Sequence, residues 1–427
     1  MNILILFVVM FALMFLGMNI FVAMGVSAAG YLLLTGAAPL TLVSQSMING
    51  VANFSLLAIP FFMLTGDLMN LSGMTLRLVE FAKFFIGRVK GSLAYTCILV
   101  NMVVAGVSGS GPADCSAVSS VLLPAMEKDR YPTEFSAALN ACAATMGPII
   151  PPSIPMVFLA MLTNLSVGKL FMGGLIPGVL IGLAIFLICW YKTRKMPLVE
   201  VSQHKLTLRG FWAALREAWL SLIAPLIILV GVLTGLVTIT EVSILAAAYV
   251  LFVGAVVYRT IHLKDILHAF KKAVLFSSTV MAMFSVVNIF SWIIAVENLG
   301  SVLGDLVLRL HLHPAFFLFL ITLLFFFLGM VMDAIPAMTI FVPVLLPIAE
   351  GLGIDPVHFG VVVVVNLMIG LVTPPVGGLL FVEAKLSKVP FDTLAKNCMP
   401  FILAMISVLL LATYIPPIVT ALPNLIF

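Results

Sequence analysis

Charge is what this sequence has least of. Only 9% of its 427 residues are Asp, Glu, Lys or Arg, whereas 63% are hydrophobic, and the mean hydropathy is +1.26. A soluble domain is about a quarter charged, so the composition excludes an ordinary cytosolic enzyme. No arginine-rich run or basic domain offers itself to nucleic acid, and the net charge is only +4. The five cysteines (Cys97, Cys115, Cys142, Cys189, Cys398) show no CxxC spacing, and the histidines form no helical pair. Disulfide, zinc and metal-enzyme roles recede, leaving the cysteines as packing residues in apolar helices. Residues 1–76 carry one charge, Asp67. Without a charged n-region the start reads as a membrane helix, not as a cleaved signal peptide.

What is present is apolar length. A bilayer span needs about 20 apolar residues, so the chain supplies roughly ten spans and their connections. Basic residues mark cytoplasmic loops. Three clusters (Arg77 to Lys90; Lys192 to Arg216; Arg259 to Lys272) hold 14 of the 21 lysines and arginines. Two apolar stretches, 219–237 and 240–258, return the chain to one side around the turn Thr238-Ile239-Thr240-Glu241. Spans at 3–20, 21–36 and 52–70 then put the N-terminus outside. Those at 170–190, 273–296 and 357–383 end or begin at basic residues. A last span at 398–420 puts the C-terminus outside too. Residues 191–218 form a cytoplasmic connector between the two halves, 1–190 and 219–427.

Two stretches do not fit as simple crossings. Residues 92–126 have basic flanks at both ends and break at Val107-Ser-Gly-Ser-Gly-Pro112, which cannot continue a helix. Residues 314–349 break at Met332-Asp-Ala-Ile-Pro336. Both read as re-entrant helical hairpins entering from opposite sides. Irregular backbone at membrane depth survives only inside protein or along a watery cavity, so the tips are site candidates. Residues 75–90 and 298–310 precede the hairpins and have the charge pattern of interfacial amphipathic helices, as braces or as plain connectors.

The halves also resemble one another. Val121-Leu-Leu-Pro124 matches Val344-Leu-Leu-Pro347, Pro132 to Phe135 matches Pro356 to Phe359, and Gly147 with Pro151-Pro152 matches Gly370 with Pro374-Pro375. Ala28 to Tyr31 echoes Ala246 to Tyr249, and all offsets lie between 218 and 224 residues. Five spans separate the repeat starts, so the second copy is expected inverted. Inverted repeats with interrupted helices in matching places are a mark of secondary transporters. The expected fold is thus all-α and polytopic, each repeat holding a hairpin and a broken helix (134–166 and 357–383).

Each tip would face the following break: Ser108–Pro112 against Gly147–Ser153, and Asp333–Pro336 against Gly370–Pro375. Proline and glycine free backbone carbonyls that suit a hard cation such as sodium, hydroxyls or one carboxylate complete the cage, and half-helix N-termini favour an anion. Asp333 is the strongest single residue, because an ionisable group at membrane depth is costly; capping the second hairpin helix is its other possible role. Asp114 serves equally as cap or site. Ser108 and Ser110 suit binding or close packing, Thr373 and Ser153 binding or repair of a kink, and Gly147 and Gly370 contact or hinge. Asp67 and Asn70 read as ordinary caps.

With these motifs on the page, the chain resembles the large membrane subunit of a TRAP transporter. The resemblance rests on Ser108-Gly-Ser-Gly-Pro-Ala-Asp114, Gly147-Pro-Ile-Ile-Pro-Pro-Ser-Ile-Pro155, Gly370-Leu-Val-Thr-Pro-Pro-Val376, Phe54–Phe62 and Phe171–Gly178, and covers essentially the whole chain. It implies a sodium-driven, tripartite importer of organic acids such as sialic acid or C4-dicarboxylates, in a bacterial inner membrane. A periplasmic binding protein delivers the substrate, a small membrane subunit on a separate chain braces the large one, and the transport domain moves as an elevator. Carried over by motif, substrate contacts fall on Ser108, Ser110, Pro112, Ser153 and Pro375. Sodium contacts fall on Ser108, Ser110, Gly147, Ile150, Asp333, Gly370 and Thr373. Val376-Gly-Gly-Leu379 and Glu383-Ala-Lys385 depart from the family pattern. A proton-coupled single-component carrier is the nearest rival. A passive channel fits two gated tips less well. An intramembrane aspartyl protease would need a GxGD motif that does not occur, and a serine protease a buried serine–histidine pair.

Overall fold

The computed structural model describes residues 2–86, 90–196, 208–234, 237–298 and 313–427, and these are helical with no strand among them. The first half contributes α1 (Asn2–Phe15), α2 (Ile20–Thr35), α3 (Thr41–Val51), α4 (Ala58–Leu71) and α5 (Met74–Ile86). A hairpin follows, α6 (Ser92–Ser108) and α7 (Gly111–Lys128), then a broken helix, α8 (Thr133–Ala144) and α9 (Ile154–Thr163). The long α10 (Val167–Arg194), α11 (Leu208–Thr234), α12 (Ile239–Phe252, extended by the π-turn Val253–Val257) and α13 (Leu263–Val296) come next. A second hairpin, α14 (Pro314–Val331) and α15 (Ala334–Gly351), precedes a second broken helix, α16 (Pro356–Gly370) and α17 (Gly378–Ser387). The chain ends with α18 (Phe391–Tyr414) and α19 (Pro417–Ile426).

In each half a helix–turn–helix pair (α6–α7 and α14–α15) precedes two helices separated by a non-helical segment (α8–α9 and α16–α17). Eight of the described helical stretches are long and apolar enough to cross a membrane. The first two helices, at 14 and 16 residues, fall short of that length. α3 lies between the expected spans 21–36 and 52–70, where neither a long apolar run nor a charge marks it. The last long helix starts at Phe391, not 398, and stops at Tyr414, because the Pro416-Pro417 pair interrupts the ladder and begins the separate α19. Thr238 to Glu241 is a helix start, not a free turn: the Thr238 amide donates to Glu241 Oε2 at 2.7 Å, and Thr238 Oγ1 accepts from the Glu241 amide at 3.3 Å. The amphipathic stretch expected at 75–90 is α5 as far as Ile86. All but the first residue of the stretch at 298–310, and residues 197–207 of the connector, lie outside the described residues.

The two inner helices explain their composition. α16 runs Val361-Val-Val-Val-Val365 with every one of these side chains buried, as a helix apolar on all sides must be. It packs among α10, α14, α15 and α18, while α8 packs among α6, α7, α17 and α18. The halves interlace. α17 leans on α7 of the first hairpin, and α9 leans on α15 of the second. Around this core, α4 packs against α12 and α13, α3 against α13, and α5 against α11. Arg77 of α5 is stacked 3.6 Å over the Tyr258 ring beyond α12. Outward-facing Leu226, Val230, Leu245, Leu267 and Phe270 leave α11 to α13 an apolar exterior, as contact with lipid tails requires.

One close crossing sets the approach of the second hairpin to the second broken helix. A Cβ on Gly370 would stand 2.5 Å from Gly329 backbone atoms, and one on Gly329 2.8 Å from the Leu367 carbonyl. Gly370→Ala is therefore expected to destabilise the protein by about 1–3 kcal/mol by forcing the helices apart. A fall in melting temperature of the purified protein checks this; unchanged melting would mean the helices are not in backbone contact.

Candidate functional site

Each hairpin tip is stitched to the break that follows it. In the first half the Ile154 amide donates to the Gly109 carbonyl at 3.4 Å, and the Ile149 and Ile150 amides turn back to the Met146 carbonyl. In the second half the Val376 and Gly377 amides both donate to the Met330 carbonyl at 3.2 Å. Gly109 is required at its tip: its φ is +62°, and a Cβ there would lie 2.7 Å from the Pro152 carbonyl oxygen. The Pro151–Pro152 and Pro374–Pro375 bonds are cis.

A cavity of about 200 Å³ lies where these elements meet. The first tip lines it with Gly109, Ser110 and Pro112, the first break with Pro148 and Pro155, and the second tip with Asp333 and Pro336. Met368 and Leu371 come from the second broken helix, and Phe276, Thr279, Val280 and Met283 from α13. Sequence positions more than two hundred residues apart thus share one chamber.

Ser108 lies beneath the first tip, buried, and its hydroxyl donates to Asp114 Oδ1. The other carboxylate oxygen, Asp114 Oδ2, is buried with no hydrogen-bond partner. It stands over the break: a Cβ on Gly147 would meet it at 2.3 Å. Asp114 therefore joins Ser108 and Gly147, and its carboxylate does not cap α7, whose N-cap is Ser110. Ser110 donates its amide to Ser108 Oγ at 3.2 Å. Asp333 sits at the N-cap of α15 but makes no capping bond. Its carboxylate faces the chamber and lies 3.8 Å from where a Cβ on Gly378 would be.

Other expected site residues are placed differently. The Ser153 hydroxyl donates to the Pro148 carbonyl and accepts from the Met156 amide at 3.2 Å, so it caps α9 under the break and does not line the chamber. Thr373 returns its hydroxyl to the Ile369 carbonyl at 2.8 Å. Ile150 packs its side chain towards Gly178. Gly370 is held against Gly329, and Pro375 is exposed at the edge of the second break.

Three features were not assigned from sequence. Glu383, which stood out only as a departure from the family pattern, is fully buried. It accepts from Ser119 Oγ at 2.7 Å, Cys115 Sγ at 2.8 Å and Asn140 Nδ2 at 3.0 Å. Asn140 continues the network by accepting from Asn101 Nδ2 at 3.1 Å. A carboxyl from the second half is thus held by donors of the first, tying α17 to α7 and α8. Asn366, one turn before Gly370, is buried with both amide atoms unpartnered. Asp67, read as a cap, is paired with Lys272 of α13 at 2.6 Å. No spacing rule brings residues 67 and 272 together.

Residues 7–418 match the family model described as the DctM component of the tripartite ATP-independent periplasmic transporter. The chain belongs to that family. It is 37% identical to the sialic acid TRAP transporter large permease protein SiaM of Vibrio cholerae, over 97% of this chain and 96% of that one. It is 36% identical to the C4-dicarboxylate TRAP transporter large permease protein DctM of Pseudomonas aeruginosa, over 92% and 93%. The solved Alcanivorax borkumensis YdaH transporter shares the fold, with a TM-score of 0.66 at 13% identity over 89% of each chain. The chamber is accordingly part of a multi-pass membrane transporter subunit, one component of a tripartite system, and not of an enzyme.

Removing Asn140 from this TRAP permease takes a donor from Glu383 and the Asn101 amide's acceptor. Asn140→Leu is expected to cost about 1–3 kcal/mol. Thermal melting of the purified protein reads this directly, and wild-type melting would mean that the buried carboxyl finds its partners elsewhere.

Proposed function

We propose that this permease couples the entry of an organic acid to sodium, binding ion and substrate around the two tips and moving them by an elevator displacement of the hairpins and broken helices. The observation that carries the reading is the Asp114 carboxylate. It is buried at a helix break, bonded on one oxygen by Ser108 and bare on the other above Gly147. A bare carboxylate oxygen at membrane depth is costly without a cation, and unwound backbone beside it supplies the carbonyls with which such transporters ligate sodium. Asp333, with the Gly370–Thr373 turn and the unpartnered Asn366 amide close in sequence, is the corresponding candidate in the second half. The acid would enter the chamber at Ser110 and Pro112, brought by a periplasmic binding protein, with a small membrane subunit against the outer helices. Relatives of nearly equal identity are named for sialic acid and for C4-dicarboxylates, so the substrate class is an organic acid. The repeats would be inverted in an inner membrane, with both termini outside.

The same bare carboxylate would also hold a proton, which keeps proton coupling as the second reading. Melting of the purified protein with its small subunit, in sodium against potassium or choline at matched ionic strength, separates the two. A sodium-specific rise is expected, since a ligand of the folded state at about 100 times its Kd adds about 2.7 kcal/mol. Asp114→Asn and Asp333→Asn should each reduce it. No sodium effect in the wild type, with stabilisation that follows pH instead, would replace sodium by protons as the coupling ion.

A further inference from the structure

A second cavity, of about 530 Å³, adjoins the chamber at the first tip and shares Ser110, Pro112 and Phe276 with it. Its far end is lined by Asp67, His268 and Lys272. One face of α13 forms a wall of both cavities: His268, Lys272, Phe276, Thr279, Val280 and Met283 follow at helical spacing. From His268 to Met283 this stripe extends about 22 Å, most of a hydrocarbon core of about 30 Å. The two cavities are thus stretches of one path along α13, meeting at the first tip.

An acid moving along this path needs a positive partner, and the chamber itself offers only the carboxylate of Asp333. Among the described residues, Lys272 is the one lysine or arginine that lines either cavity. It is held in place. The Lys272 ammonium meets Asp67 Oδ1 at 2.6 Å, with its side chain half exposed and that of Asp67 only 10% exposed. Asp67 is carried beside the tip by its neighbour Gly66, where a Cβ would lie 2.9 Å from Ser108 Cβ. An ammonium has three donors, and Asp67 engages one. A second carboxylate can therefore bind without the pair separating.

We propose that Lys272 is the cation that recognises the carboxylate of the transported acid at the first-tip end of the path, with Asp67 as its positioning residue. This rests on the organic-acid reading above. The test is sodium-gradient uptake of N-acetylneuraminate and of succinate by the complete transporter, reconstituted with its small subunit and binding protein. Variants Lys272→Gln, Lys272→Arg and the double Asp67→Asn/Lys272→Gln are compared with wild type. Lys272→Gln is expected to lower uptake about tenfold or more, as when one partner of a desolvated charge pair is lost. Lys272→Arg should retain most of it, and the sodium-specific melting shift should persist in all three. The double variant decides the role. If Lys272 only neutralises Asp67, removing both charges restores uptake and overturns the proposal; if Lys272 binds the acid, the double variant stays impaired. Wild-type uptake by Lys272→Gln alone also overturns it. A wild-type transporter that takes up neither acid refutes the reading of the substrate as a sialic acid or C4-dicarboxylate, and this inference falls with it.

Discussion

The protein depends on satisfying a broken backbone in a place without water. A helix interrupted at membrane depth exposes amides and carbonyls that lipid cannot pair. Here the interruptions are closed by the hairpin tips: Gly109 accepts from Ile154, and Met330 accepts from Val376 and Gly377. Side chains finish the accounting, Ser153 capping α9 and Thr373 returning its hydroxyl to the last turn of α16. Without the tip, each break would be an unpaired end; without the break, each tip would have nothing to close on.

That mutual closure also creates the chemistry. Bringing tip to break requires glycine where the backbones touch, as at Gly109 against Pro152 and Gly329 against Gly370. Where they meet, the two tips line one chamber, the first with Ser110 and the second with Asp333. Asp333 faces that chamber, while Asp114 is buried behind the first tip, with one oxygen on Ser108 and the other over Gly147. The ion pair of Asp67 with Lys272 joins α4 to α13 beside the chamber.

The interlacing of the halves has its own physical basis. Glu383 is buried, and three donors from α7 and α8 surround it. Buried polar networks of this kind hold a unique arrangement only when their members are paired. α17 is therefore tied to the first hairpin, as α9 is packed on the second, so the tips and breaks of the two halves share one packed unit.

Much of this was legible in the order of residues. Proline and glycine interrupt an apolar ladder wherever they fall, so the hairpins at 92–126 and 314–349, and the breaks after Gly147 and Gly370, follow from local chemistry alone. Membrane character and the candidacy of Ser108, Ser110 and Asp333 follow in the same way. The bounds of α3 and α18 were less legible, because short apolar helices look like the spans beside them. What only the tertiary structure decided is which polar groups meet. Asp114 over Gly147, Asp67 with Lys272 and Glu383 among Ser119, Cys115 and Asn140 join residues separated by up to 268 positions. No periodicity encodes such pairs, since helices of an apolar bundle can be rotated and shifted against one another until close glycine contacts and buried hydrogen bonds fix their register.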